Sequence, residues 1–249
     1  MSLILPQRSL SRRQLLQWSG LSGAGLLLGG CQSRFLPDKI TQGSRFLTDK
    51  VGQISEPLNQ KIEALMLSQQ PVPEFAASEI EPDKLLINTF DTTPQIDPAQ
   101  FRLTVNGEVN KPIQLSLTEL QNLPLTSMVI RHVCVEGWAA IIQWGGVRLR
   151  DLIQLAQPKP GVRYVFFQSA DGYYESWDIA SCLHPQTLMA YQKNGQPLAI
   201  DNGAPLRLAA PIKLGYKQSK WVTGITLLSA LPAQTGYWED QGYEWFAGL

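Results

Sequence analysis

The segment Arg131-His132-Val133-Cys134-Val135-Glu136-Gly137-Trp138 is the part of this 249-residue chain whose residue types most suggest chemistry. A thiol stands there amid cationic and polar neighbours. Gly137 follows where a backbone could approach a ligand closely, and Trp144-Gly145-Gly146 comes shortly after. Positive charge beside a thiol lowers its pKa and favours the thiolate, the form that ligates soft metals. His132, two residues before the cysteine, shares its side of a regular strand and so faces the same site or orients it. A buried structural cysteine is the alternative that these residues leave open. Other catalytic layouts are scarce. His132 and His184 are the two histidines, and there is no Gly-x-Ser-x-Gly elbow, P-loop, His-Glu-x-x-His or paired Cys-x-x-Cys. Zinc and serine-hydrolase chemistry therefore have little support, and His184, followed by Pro185, reads as a structural residue near a turn.

The elements that must position Cys134 read as short strands and helices. Leu85-Leu86-Ile87 and Phe101 to Val105 are β-rich, the second closed by Asn106-Gly107, which suits a hairpin. Leu117 to Leu123 predicts a short helix with Thr118 as its cap. Met128 to Val135 predicts the strand that leads to Cys134. Val147 to Ala156 has helical apolar spacing, ended by Pro158, Pro160 and Gly161. Tyr164 to Phe167, Leu206 to Ala210 and Trp221 to Leu228 are strands by composition. Strands and helices alternate without the rhythm of a doubly wound sheet, which predicts an α+β fold of mixed β-sheets with short helices. The hydrophobic share of 44% is enough for a real core, and 21 basic against 21 acidic residues gives no sign of a nucleic-acid partner.

Around Cys134 the chain resembles the molybdenum-binding signature of the sulfite oxidase superfamily, in particular the bacterial branch of methionine sulfoxide reductase catalytic subunits. The likeness continues through Leu183 to Ala190, Asp201-Asn202-Gly203-Ala204-Pro205-Leu206-Arg207-Leu208, Pro211, Lys213, Gly215-Tyr216-Lys217 and Lys220-Trp221-Val222. It covers roughly Leu85 to Leu228, in the same order. The resemblance implies a sulfite oxidase-type molybdopterin-binding domain in which the Cys134 thiolate ligates the molybdenum of a molybdenum-molybdopterin cofactor. By the same likeness Asn88, Asp91, Thr92, Ser169, Asn202, Arg207, Gln218, Ser219 and Lys220 contact the cofactor, the last three from a loop at its phosphate end. A phosphate suits a guanidinium fork, a point charge and backbone donors. On their own these residues also fit plainer roles: Asn202-Gly203 as a turn pair, Arg207 as a strand-edge charge, Lys217 and Lys220 as a solvated face.

The implied activity is oxygen-atom transfer, with reduction of S-oxides such as methionine sulfoxide expected over sulfite oxidation, since the 21 residues after Leu228 leave no room for a dimerisation domain. His132 or Arg131 is expected to stabilise charge developing on the transferred oxygen. A metal-free binding module of the same fold is the alternative outside enzymes, and the presence of Cys134 with the phosphate-anchoring residues argues against it. The partners implied are a small or protein-bound S-oxide and a separate electron-transfer protein such as a membrane haem protein. Cys182 is expected to be buried and inert.

The N-terminus reads as an address. Arg8, Arg12 and Arg13 precede the uncharged run Leu15 to Gly30, which is shorter than the roughly 20 residues that span a bilayer. Ser11-Arg12-Arg13-Gln14-Leu15-Leu16 resembles a twin-arginine export signal, and Leu28-Gly29-Gly30-Cys31 a lipobox with Cys31 as the lipidated residue. Residues 1–30 are thus expected to be a signal peptide, 31–82 a tether with a peripheral helix over Leu58 to Leu67, and 83–249 the catalytic domain. The location implied is the periplasmic side of the cell membrane, by a lipid anchor. Without residues 1–30 the chain has 18 basic against 21 acidic residues and is mildly acidic.

Overall fold

The computed structural model describes residues 69–249. The signal segment, Cys31 and the helix expected over Leu58 to Leu67 lie outside the described residues. Two five-stranded sheets carry the fold. The first has the order β2-β1-β10-β5-β6, from β1 (Arg102–Gly107), β2 (Ile113–Ser116), β5 (Tyr164–Ser169), β6 (Tyr174–Asp178) and β10 (Val222–Leu228). Its strands are antiparallel except for the β1–β10 pair. The second has the order β3-β4-β7-β8, from β3 (Thr126–Val133), β4 (Ala139–Arg148), β7 (Leu188–Lys193) and β8 (Gln196–Pro197), with β9 (Arg207–Ala209) paired to β7. Three short helices accompany them, α1 (Leu117–Gln121), α2 (Leu149–Leu155) and α3 (Ile179–Leu183). The α+β fold expected from the sequence is the one observed.

One core gathers Leu103, Val105, Val165, Phe167, Ile225 and Leu227 from the first sheet with Leu149, Leu152 and Ile153 from α2. A second lies on the second sheet, where Met128 and Ile130 pack with Ile142, Trp144, Leu188 and Ala209. The β3 pattern buries Met128, Ile130 and His132 on one face, the period of two that a strand imposes. Residues 72–81, expected as tether, instead run along β3 and β4. Phe75 N–H donates to Val129 O at 3.0 Å, and the carboxylates of Glu74 and Glu81 accept from Val129 N–H and Ile141 N–H. Carboxylates there satisfy edge donors that no neighbouring strand reaches.

Several local expectations are corrected. Ser116, not Thr118, caps α1: its hydroxyl accepts from Glu119 N–H while the Glu119 carboxylate accepts from Ser116 N–H, a capping box. Val147 and Arg148 finish β4, and the helix begins at Leu149. Leu85-Leu86-Ile87 is an irregular segment outside either sheet, with Leu86 and Ile87 exposed.

Candidate functional site

Cys134 sits at the tip of the β3–β4 hairpin, where Cys134 N–H donates to Trp138 O at 2.9 Å and Gly137 N–H to Cys134 O at 3.2 Å. Gly137 has φ +89°, a conformation that glycine adopts without Cβ strain. The tip opens on a cavity of about 220 Å³. Into it the structure brings Asn88 from the irregular segment before β1, His132 and Cys134 from the hairpin, Asn202 from the turn before β9, Arg207 from the start of β9, and Gln218, Ser219 and Lys220 from the loop before β10.

Other predicted residues stay outside. Arg131 alternates to the opposite face of β3 from His132, is exposed, and lies over the Phe75 ring at 5.0 Å. Of the two residues offered for the charge on the transferred oxygen, Arg131 thus points away from the cavity and His132 lines it, because consecutive strand residues point to opposite sides. Asp91 and Thr92 are exposed and do not line the cavity, nor does Ser169. Gln218 lines it, but its amide is committed to the loop: Nε2 donates to Ala210 O and Lys213 O, and Oε1 accepts from Ala210 N–H.

The electrostatics around Cys134 also differ from expectation. Burial raises the thiol pKa, and the charge that bears on it is the Glu136 carboxylate, whose Oε2 accepts from Sγ at 3.5 Å. The same oxygen accepts from Trp138 Nε1 and Asn88 Nδ2, each at 2.9 Å, and these bonds hold the Glu136 pKa below the usual range. His132 is 5% exposed, and burial depresses its pKa to about 3, so the ring is neutral. Its Nδ1 is buried without a partner.

Two cations define another part of the cavity. Arg207 is 4% exposed, stacks on Trp144 at 4.5 Å, and donates only to the carbonyls of Asn202, Leu208 and Gln218. Burial lowers its pKa to about 10. Lys220 donates to Asn88 O and Asp201 O, and its pKa falls to about 8 through burial and then the Arg207 charge. Neither forms an ion pair among the described residues. Trp221, next to Lys220, is buried with φ +51°, a strained conformation that its burial and its Nε1 bond to Ile200 O hold in place.

Sequence reasoning assigned no role to Glu136, Asp171 or the aromatic rim of Phe90, Trp138, Tyr173, Tyr216, Trp238 and Tyr243. Glu136 could have been found from its place two residues after Cys134. The rim is assembled from segments far apart in the chain and left no local signal.

Comparison with known proteins identifies this architecture. Residues 90–238, more than half of the chain, match the family described as oxidoreductase molybdopterin binding domain, and the chain belongs to that family. It is 43% identical over 158 residues to a protein of Azospira oryzae provisionally named a protein-methionine-sulfoxide reductase subunit, covering 64% of this chain and 60% of that one. It is 33% identical over 183 residues to the protein-methionine-sulfoxide reductase catalytic subunit of Xanthomonas campestris pv. campestris, covering 67% and 54%. The chain thus spans between about half and three-fifths of the length of these relatives. Among solved structures, the sulfane dehydrogenase of Paracoccus pantotrophus shares the fold with a TM-score of 0.53 at 22% identity, over 55% of this chain and 40% of that one.

The cofactor of the family is molybdenum-molybdopterin, and the site fits it. No cluster of three or more His, Cys, Asp or Glu side chains could hold a metal by itself among the described residues, so a metal at Cys134 needs ligands brought by another group. A buried guanidinium and a partly buried ammonium that form no ion pair among the described residues suit an anion, although Asp171 and Asp201 lie close enough to act on the Lys220 charge. Ser219 Oγ is buried in the cavity wall without a partner. Gly203, with φ +105°, leaves open the space where a Cβ would stand 3.1 Å from Arg207 Cβ and 3.0 Å from Lys220 Cβ.

Proposed function

We propose that this chain is the catalytic unit of an exported reductase that takes the oxygen from an S-oxide such as methionine sulfoxide, yielding the sulfide and water from two electrons and two protons. The observation that carries the direction is the character of the wall at Cys134. The charge there is the Glu136 carboxylate, the neighbouring rings are Trp138 and the neutral His132, and Arg131 faces away. A carboxylate repels an oxyanion such as sulfite, whereas a neutral S-oxide meets no such penalty. The names of relatives at 31–43% identity support the same direction.

In this reading Cys134 supplies the thiolate ligand, Arg207 and Lys220 hold the phosphate end, and Asn202, Ser219 and Asn88 complete the grip, with Gln218 fixing the loop. When bound, the cofactor supplies two-electron redox chemistry. The protein binds, orients and excludes water. Glu136 is oriented by Trp138 and Asn88 as an acceptor beside the thiol, and His132, held neutral by burial, offers a hydrogen bond without a net charge. Electrons come from a separate protein, for which a membrane haem protein is the natural class. The Arg12-Arg13 pair and the Leu28-Gly29-Gly30-Cys31 motif support twin-arginine export and lipid anchoring at Cys31 on the periplasmic side.

The test uses one molybdenum-loaded preparation, assayed with sulfite plus an electron acceptor and with methionine sulfoxide plus a reduced artificial donor. Faster sulfoxide reduction is expected, and faster sulfite oxidation overturns the direction. A Cys134→Ser control should stay folded and lose turnover, because the soft ligand is gone.

A further inference from the structure

The C-terminal segment is held too firmly to be a loose end. Thr235 O accepts from Ser176 Oγ, Lys217 Nζ donates to Glu239 at 2.5 Å, Tyr216 Oη to Glu244 O at 2.6 Å, and Lys213 Nζ to Phe246 O at 2.6 Å. Leu214 N–H adds a bond to Ala247 O at 3.0 Å. The segment divides its aromatic side chains in two. Trp245 and Phe246 are 6% and 8% exposed and serve the core, whereas Trp238 and Tyr243 are 37% and 42% exposed and line the cavity that contains Cys134. Burying the first pair explains the stability of the segment, but not why two large rings stand partly in water at a cavity wall.

Local structure brings those two rings together. The single turn of 3-10 helix at Glu239–Gln241 ends at Gly242, with φ +96°, and the chain reverses so that Tyr243 N–H donates to Trp238 O at 3.0 Å. The ring centroids are then 5.2 Å apart at a tilt of 48°, and Tyr243 meets Tyr216 edge-on at 5.6 Å. Trp238 is backed by Tyr237 at 5.1 Å, which packs on Phe90 at 4.4 Å. Residues 239–249 lie beyond the part of the chain that matches the family.

We propose that Trp238 and Tyr243 are specificity-determining residues: a two-ring wall that receives the apolar arm of the substrate and selects S-oxides with an extended or aromatic arm over the smallest ones. The proposal rests on the reductase reading above for the reacting group. Its chemistry follows from the rings. Their faces are electron-rich, so they accept C–H edges and polarizable sulfur and disfavour an oxyanion. Arg207 and Lys220 stack on Trp144 and Trp221 and not on these two rings, so the wall's part is in binding and its loss should appear in KM.

The experiment compares methyl phenyl sulfoxide with dimethyl sulfoxide in the holoenzyme and its Trp238→Ala, Tyr243→Ala and Tyr243→Phe variants, with molybdenum content measured for each. Both positions are partly exposed, so folding and loading should persist. Each alanine variant is expected to raise KM for methyl phenyl sulfoxide about three- to tenfold with kcat within about twofold. Dimethyl sulfoxide should change less than twofold, and Tyr243→Phe, which keeps the ring, should match the parent. Equal effects on both substrates, a loss confined to kcat, or no effect overturns the wall. If the parent enzyme reduces neither sulfoxide, the reductase reading fails, and calorimetric binding of methyl phenyl sulfoxide then decides this proposal separately. Binding weakened in Trp238→Ala supports the wall, and the same affinity in both proteins, or none in either, overturns it.

Discussion

Two pairs of cations, all drawn from Arg207 to Lys220, behave in opposite ways. Lys213 and Lys217 are almost wholly buried and paired: Lys213 with Asp178 at 3.4 Å, Lys217 with Glu175 and Glu239 at 2.5 Å each. Arg207 and Lys220 are surrounded by carbonyls and have no carboxylate partner among the described residues. The first pair faces the C-terminal segment, which supplies Glu239 and Phe246 O as partners. The second faces the cavity. A charge whose partner is in the chain is a structural bolt, and a charge whose partner is missing marks where a ligand's charge belongs.

The largest expected effect separates the two pairs directly. Lys217→Met leaves Glu175 and Glu239 buried without their cation and should cost about 3–5 kcal/mol in the cofactor-free protein. Arg207→Met removes a buried cation that has no carboxylate partner, so the cofactor-free protein should lose clearly less stability than Lys217→Met, the loss being its bonds to three carbonyls and its stacking on Trp144, while molybdenum retention on purification should collapse. Denaturant unfolding and metal analysis of both variants check the contrast. Equal destabilisation would erase the distinction between bolt and ligand grip.

Next in size is the pH dependence of loading. With its pKa lowered to about 8, Lys220 is charged below that pH and loses its proton above it. Uptake of the cofactor by cofactor-free protein should therefore weaken as pH rises past about 8, by up to about tenfold per unit. Lys220→Arg, charged throughout, should flatten the profile. An unchanged profile in that variant would remove Lys220 from the phosphate grip.

The sequence could not separate Lys217 from Lys220, because both stand in one short polar run and only the fold reveals what each faces. That Cys134, Asn202, Arg207 and Lys220 gather at one cavity was legible because each belongs to a contiguous motif whose order survives in the chain. Arg131 was misplaced because adjacency in a motif is not adjacency in space once a strand alternates its side chains. β4, β6 and β7 escaped notice for a related reason. Their residues are buried on both faces or nearly so, which removes the alternation that marks a strand. Trp238 and Tyr243 were invisible as site residues because their approach to the cavity depends on partners contributed by the Lys213–Lys217 loop.

The smallest effect tests the bolt from its acidic side. Glu175 is fully buried, and desolvation raises its pKa well above the ordinary carboxylate value, with Lys217 opposing the shift and Glu239 adding to it. Its folded pKa exceeds its unfolded one, so the folded protein holds this proton at pH values where the unfolded chain has released it. The contribution to stability is then complete below about pH 4.5 and is lost as pH rises toward the folded value. Linkage limits the slope to about 1.4 kcal/mol per pH unit, which is a few degrees in Tm for a protein of this size. Glu175→Gln keeps the shape of the side chain and cannot ionise, so its Tm should gain on the parent steadily as pH is raised from 4.5 toward alkaline values. A constant Tm difference across that range would mean that no proton is held at Glu175. The two carboxylates around Lys217 would then both be charged, and the bolt would carry an unbalanced negative charge in the core.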